Sequence, residues 1–284
     1  MHTVKSYSLI IRNVIIFFYL CCMVSVVHAK DTYIWSVVPQ FTGIAVHRDW
    51  TPLLNAIEEN TGYRFSLKIY DSIPEFESGF ADGQPDFAYM NPYHAVMAKN
   101  EQGYIPIVRD GKRKLTGILV TRKDSAIKSL EDLQGKRIAF PSPNAFAASL
   151  LPRALLNEKH NIKYTTAYAN THSNAYRFVL LNKAAASGGV YRTLKRERAE
   201  VQEQLRVIYE TPGSASHPIV AHKRVPKKVA NAVQKAIIAI AKTDDGKAIL
   251  KAILIPDPIA ANYKRDYKPL SNLSLEQYVV QSKK

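Results

Sequence analysis

Two short turns hold the residues of this sequence best suited to chemistry. PDFAYMNPYHAVMA, residues 85–98, reads as a buried strand that stops at Asn91-Pro92 and enters a helix, with Tyr89, Asn91, Tyr93 and His94 around the turn. FPSPNAFAAS, residues 140–149, repeats the arrangement with Ser142, Asn144, Ala145 and Phe146. The first N–H groups of a helix lack intrahelical acceptors, and the aligned peptide dipoles add partial positive charge there. Such a turn can hold an oxyanion without a formal cation. His172, just after the strand-like TTAYAN, offers a further donor. Each position also has a purely structural reading: Tyr89 as a core aromatic, Asn91 and Ser142 as helix caps, His94 as packing or surface.

Catalytic signatures are weak. Ser125-Ala126-Ile127-Lys128 fits the S-x-x-K pattern, but residues 242–244 read Lys-Thr-Asp where a K-T-G would be needed, and Ser125 leads into a capping Ser129. His217 and His222 stand five apart without nearby carboxylates, which suits a strand face better than a metal pair. The chain has neither a glycine-rich phosphate loop nor a G-x-S-x-G. A binding protein without metal or cofactor is therefore expected, and an exported enzyme is the weakest alternative.

Lysines and arginines number 39 against 24 acidic residues, a formal charge of +15. The densest runs, GKRK (111–114), RTLKRERAE (192–200) and HKRVPKK (222–228), are not interleaved with aromatics as base-stacking surfaces are. They read as solvated helix faces and turns, so nucleic acid is not an expected partner. Lys5 and Arg12 precede a 14-residue apolar run, Val14 to Val27, that ends in Val27-His28-Ala29. This is short of the ~20 residues that span a bilayer and fits a secretory signal over residues 1–29, hence export to the periplasm. A retained anchor is the alternative. Both cysteines lie in that segment, so the mature chain has no disulfide and relies on its core.

The elements that must position the turns alternate. TYIWSVVP reads as a strand, DWTPLLNAIEENTG as a helix ended by Gly62, and YRFSLKIY as a strand; the series continues to residue 110 and predicts parallel strands. KLTGILVTRKDS is a long strand, SLEDLQG a short helix capped by Ser129, and KRIAF a strand. Helical spacing over ASLLPRALLNE, a strand at YTTAYANTH and a third strand–helix unit follow. SHPIVAHKRVP is strand-like, and the remainder is helical with a break near Asp244-Asp245-Gly246. The pattern predicts an α/β protein of two lobes, 30–115 plus 216–284 and 116–215, joined by crossings near 113–120 and 209–220. The cleft between them is the default binding site.

Taken in order, PQ near the end of the first strand, WTPLLNAIEENTGY, GFADGQPDFAYMNP, SLEDLQGKRIAFPSP, THSNAYRFVLLNKAAASGGV and SHPIVAHKRVP resemble the phosphate/phosphite/phosphonate-binding family of type II periplasmic solute-binding proteins. The resemblance covers nearly the whole mature chain. It implies two α/β lobes with mixed sheets, closing around a small anion that is handed to the membrane permease of an ABC transporter, and no catalysis. Relatives of this kind are mostly monomers, and some serve as sensing subunits that present the ligand to a membrane histidine kinase. His172 matches the family's ligand-contacting histidine.

The departures alter the expected solute. Where the family carries a Ser-Thr-Ser run, this chain has Ala145, Phe146 and Ala147; Ser72-Ile73-Pro74 stands where a cleft tyrosine is usual, and Ala185 where an acid is. A site with fewer hydroxyl donors favours a less heavily hydrogen-bonded anion, such as a sulfur oxyanion or small organic acid, over phosphate.

Overall fold

The computed structural model describes residues 32–280; the apolar leader, the proposed cleavage position and both cysteines lie outside them. Among the described residues no helix is long and apolar enough to cross a membrane. The strands are β1 (Thr32–Val37), β2 (Arg64–Lys68), β3 (Phe87–Tyr89), β4 (Ile105–Asp110), β5 (Gly117–Arg122), β6 (Arg137–Phe140), β7 (Thr165–Tyr168), β8 (Ala186–Val190), β9 (Leu205–Glu210), β10 (Pro218–Ala221) and β11 (Pro258–Ala260). They form two mixed sheets in the orders β11-β4-β10-β3-β1-β2 and β7-β6-β8-β5-β9.

The first sheet departs from the parallel expectation at two late strands, β10 and the edge strand β11, which runs antiparallel to β4. β1 runs parallel to β2 and β3, but β10 returns antiparallel between β3 and β4. Every residue of β10 is buried, the pattern of a strand covered on both faces, and this lets a late segment take a central place. The packed face is aromatic: Trp35 stacks on Phe87 at 5.4 Å and meets Phe65 edge-on at 5.8 Å.

Local signals explain most helix ends. The helix Gly43–Thr61 stops at Gly62, whose φ of 69° is easy for a residue without a Cβ. Thr243 separates the helices Lys227–Ile240 and Asp244–Ala252, its side chain accepting from the Gly246 N–H. In SLEDLQG the expected helix shrinks to a single 3-10 turn, Glu131–Leu133. Asp132 is the capping residue rather than Ser129, because its carboxylate accepts from the Lys128 and Ser129 N–H groups at 2.7 and 3.0 Å.

The segment after β6 is helical as its spacing predicts, but wound loosely at both ends. Wide π turns at Phe146–Leu150 and Leu155–Lys159 flank the α turn Leu151–Ala154. The first turn lies directly on the second sheet. A Cβ added at Gly117 or Gly188 would come within 1.9 Å of the Ala147 or Ala148 carbonyl oxygen, so only glycine permits this approach.

Two segments link the sheets and pair with each other: Leu115 N–H donates to Ser214 O at 2.8 Å, and Ser214 N–H to Leu115 O at 2.9 Å. A third tie comes from the chain's end. Arg153 Nη2 donates to Tyr278 O at 2.6 Å, and Val280 N–H donates to Asn144 Oδ1 at 3.0 Å. Residues 278–280 thus pack on the first turns after β6, a contact that spacing along the sequence does not announce.

Candidate functional site

The two strand-to-helix turns meet. At the end of β3, Asn91 caps the helix Pro92–Gln102 by accepting the His94 N–H at 2.7 Å. Its Nδ2 donates to Asn144 O at 3.1 Å, joining the turn after β3 to the turn after β6. Pro92 has no N–H and Asn91 engages that of His94, which leaves the Tyr93 amide as the donor this helix end can offer a ligand. A small cavity lies between the turns. Gln40, Asn91 and His217 line it from the first sheet's loops, and Ala145, Phe146 and His172 from the second's.

Of the residues named from sequence, Asn91, Ala145, Phe146 and His172 therefore share one cavity. Tyr89 stands beside it, its ring 4.8 Å from Trp50 and 5.3 Å from His217. It is a core aromatic and a polar wall at once. Tyr93 is buried with its ring near parallel to Phe146 at 6.4 Å. Ser142 is buried, and its Oγ has no hydrogen-bond partner among the described residues. Asn144 turns its side chain elsewhere: Nδ2 donates to Glu77 Oε2 and to Val280 O, both at 2.8 Å. His94 is packing, fully buried with Nε2 2.8 Å from Glu77 Oε1.

His172 opens the helix His172–Leu180, which Thr171 caps. Its Nδ1 lies 3.1 Å from Thr193 Oγ1, while Nε2 is buried without a partner among the described residues. Tyr176 Oη lies 2.7 Å from the same hydroxyl. Thr193 Oγ1 also stands 2.9 Å from Val190 O and has one proton to give. Directed to that carbonyl, it leaves Nε2 an acceptor; directed to Nδ1, with Tyr176 donating to Thr193, it leaves the neutral imidazole with its proton on Nε2, able to donate to a ligand. Burial, then the nearby charge of Arg192, holds the His172 pKa down at about 3. The same two causes, with smaller contributions from His94 and His172, keep His217 well below its ordinary range. Both rings are neutral near pH 7.

Sequence reading missed three members of the site. Arg192, in the short helix Tyr191–Leu194 after β8, donates through Nη1 to Tyr89 Oη at 3.0 Å. Through Nη2 it donates to Gln40 Oε1 and to His217 Nε2, the latter at 2.8 Å. Among the described residues no carboxylate pairs with this guanidinium. Gln40, Arg192 and His217 were legible only as the end of a strand, part of a basic run and a strand-face histidine. Nothing in local spacing sets them face to face.

Two sheets whose loops line one cavity, largely apolar with Gln40, Asn91, His172 and His217 among its walls, define a two-lobed solute-binding architecture. Residues 35–267 match the family model described as "ABC transporter, phosphonate, periplasmic substrate-binding protein". The chain belongs to this family, whose members are substrate-binding proteins rather than enzymes. It is 25% identical over 218 residues to the phosphonates-binding periplasmic protein of Escherichia coli (strain K12), a match covering 72% of this chain and 64% of that protein's length. The fold is also that of PhnD1 from Prochlorococcus marinus (MIT 9301), solved in complex with methylphosphonate: TM-score 0.78, 16% identity, 87% of this chain and 98% of that one. A binding-protein component of an ABC phosphonate transporter from Pseudomonas aeruginosa superposes with a TM-score of 0.76 at 17% identity, over 86% of this chain and 85% of that one.

Proposed function

We propose that this protein is the periplasmic receptor of an ABC importer and captures a small oxyanion by closing two lobes upon it. The observation that carries the reading is His172, which lines a cavity shared by both sheets and whose Nε2 is buried without a partner among the described residues. A solute shifts an open–closed equilibrium only through its differential affinity for the closed state, so contacts from both sides are what the mechanism requires. The lobes are residues 30–115 with 216–284, and residues 116–215. The solute's oxygens take His172 Nε2, the Tyr93 amide and the N–H groups that open the turn after Ala145, with Asn91 and Tyr89 forming the opposite wall. Asn144 holds that turn in place through Glu77 and Val280, and Ser142 is buried beside it.

Alanine, phenylalanine and alanine at 145–147 give this wall no hydroxyl donors, so phosphonates, sulfur oxyanions and small carboxylates rank ahead of phosphate. The receptor works as a monomer after removal of residues 1–29 and delivers its solute to a membrane permease. No observation favours a sensor kinase as the partner.

A thermal-shift screen of the mature chain against phosphonates, phosphite, phosphate, sulfur oxyanions and small carboxylates at low salt tests the reading. Selective stabilisation by one class of anion is expected, because a ligand of the native state raises the melting temperature. A melting temperature indifferent to the whole panel would overturn it.

A further inference from the structure

Resting on that reading, we propose that Arg192 supplies the formal charge that selects the solute, and that the solute is an oxyanion carrying no cationic group. Arg192 is half-buried, and every partner of its guanidinium is neutral: the Tyr89 hydroxyl, the Gln40 carbonyl and the His217 ring. Its Nε is buried without a partner among the described residues, and no carboxylate among them compensates the charge. Two of these partners, Gln40 and His217, line the cavity that also holds His172 Nε2. The fixed charge acting on both cavity histidines is cationic, the guanidinium of Arg192.

The buried acids around the cleft are already committed, and Glu276, which acts on Tyr93, is exposed. Glu77 binds His94 and Asn144, and Asp49 pairs with Arg48 and Arg196. An anion entering the cavity therefore meets one uncompensated cation and neutral donors. An ammonium group on the same solute meets no counter-charge and adds repulsion from Arg192. Nη1 and Nη2 are engaged by Tyr89, Gln40 and His217, while Nε–H is buried without a partner among the described residues and can serve an oxygen of a carboxylate, sulfonate or phosphonate.

Matched pairs of probes test this by titration calorimetry on the mature chain: methylphosphonate against aminomethylphosphonate, methanesulfonate against aminomethanesulfonate, and acetate against glycine. The two members of each pair differ by an ammonium group. Within the pair that binds, the amino compound is expected to bind at least about tenfold more weakly. Arg192→Met should weaken the simple anion by about ten- to a hundredfold, the loss of one charge-assisted contact, and Arg192→Lys by less. Circular dichroism of the ligand-free variants separates binding loss from misfolding. Equal or tighter binding of the amino compound, or a folded Arg192→Met with unchanged affinity, would overturn the assignment of Arg192 while leaving the receptor reading intact. Failure of all six probes on the unaltered protein would remove that reading, and this inference with it.

Discussion

Asn144 Nδ2 donates to Glu77 Oε2 at 2.8 Å, and through this bond the turn after β6 is fastened to the helix Ile73–Ala81 beside the first sheet. The same amide donates to Val280 O and accepts from Val280 N–H, so one side chain ties together three parts of the chain. Asn144→Ala leaves Glu77 with a buried oxygen lacking its donor and frees the chain's end. The expected cost is about 2–4 kcal/mol, since orphaned buried polar groups are penalised beyond the bond itself. Urea unfolding of variant and parent measures it; a change under about 0.5 kcal/mol would show that water replaces the amide without loss.

His172 makes stability depend on pH. Its pKa is about 3 in the fold against an ordinary value of 6.5, so between these values the unfolded chain binds the extra proton. Stability is then full above about pH 6.5 and declines as pH falls toward 3, by up to about 5 kcal/mol for this group alone. His172→Gln removes that proton from the balance. Urea midpoints measured from pH 4 to 8 should fall less steeply with acid in the variant, and identical slopes would contradict the assignment.

Gly188→Ala places a methyl group 1.9 Å from the Ala148 carbonyl oxygen and pushes the Phe146–Leu150 turn off β8. Overpacking of this kind costs about 1–3 kcal/mol. Because that turn is one wall of the cavity, anion affinity should fall along with stability. A variant with lowered melting temperature but undiminished binding would show that the turn does not shape the site.

The wall at 145–147 can be re-equipped. Ala145→Ser with Ala147→Ser restores two hydroxyls next to the cavity at little cost in volume, and calorimetry should show a gain in methylphosphonate affinity of a few-fold or more. Phe146→Thr is a different matter: Phe146 is 1% exposed and packs on Tyr93, so its loss should cost about 3 kcal/mol. No gain from the double serine variant would mean that these positions do not face the anion.

Much of the frame was legible because its signals are local. Gly62 stops a helix and Asn91 starts one through side-chain and backbone preferences acting over four residues, and the alternation of apolar runs with helical spacing gives the α/β class. What escaped was set at long range. The position of β10 between β3 and β4 depends on which neighbours bury PIVA on both faces, and the tie from Val280 to Asn144 spans 136 residues. Arg192 sits in RTLKRERAE, where Lys195 and Arg198 are exposed as the solvated reading expects, Arg196 pairs with Asp49 and lies over Phe41, and the short helix after β8 turns Arg192 inward. His217 was dismissed for want of carboxylates. The structure gives it a role through its stack on Tyr89 and its bond from Arg192.

The central claim, that one anion is gripped from both sheets at His172, is tested most directly by a crystal structure of the mature protein with whichever anion raises its melting temperature most. The account predicts anion oxygens within hydrogen-bond distance of His172 Nε2 and of at least one donor from the β1, β3 or β10 loops. An anion held by one sheet's loops alone, or bound away from His172, would contradict it.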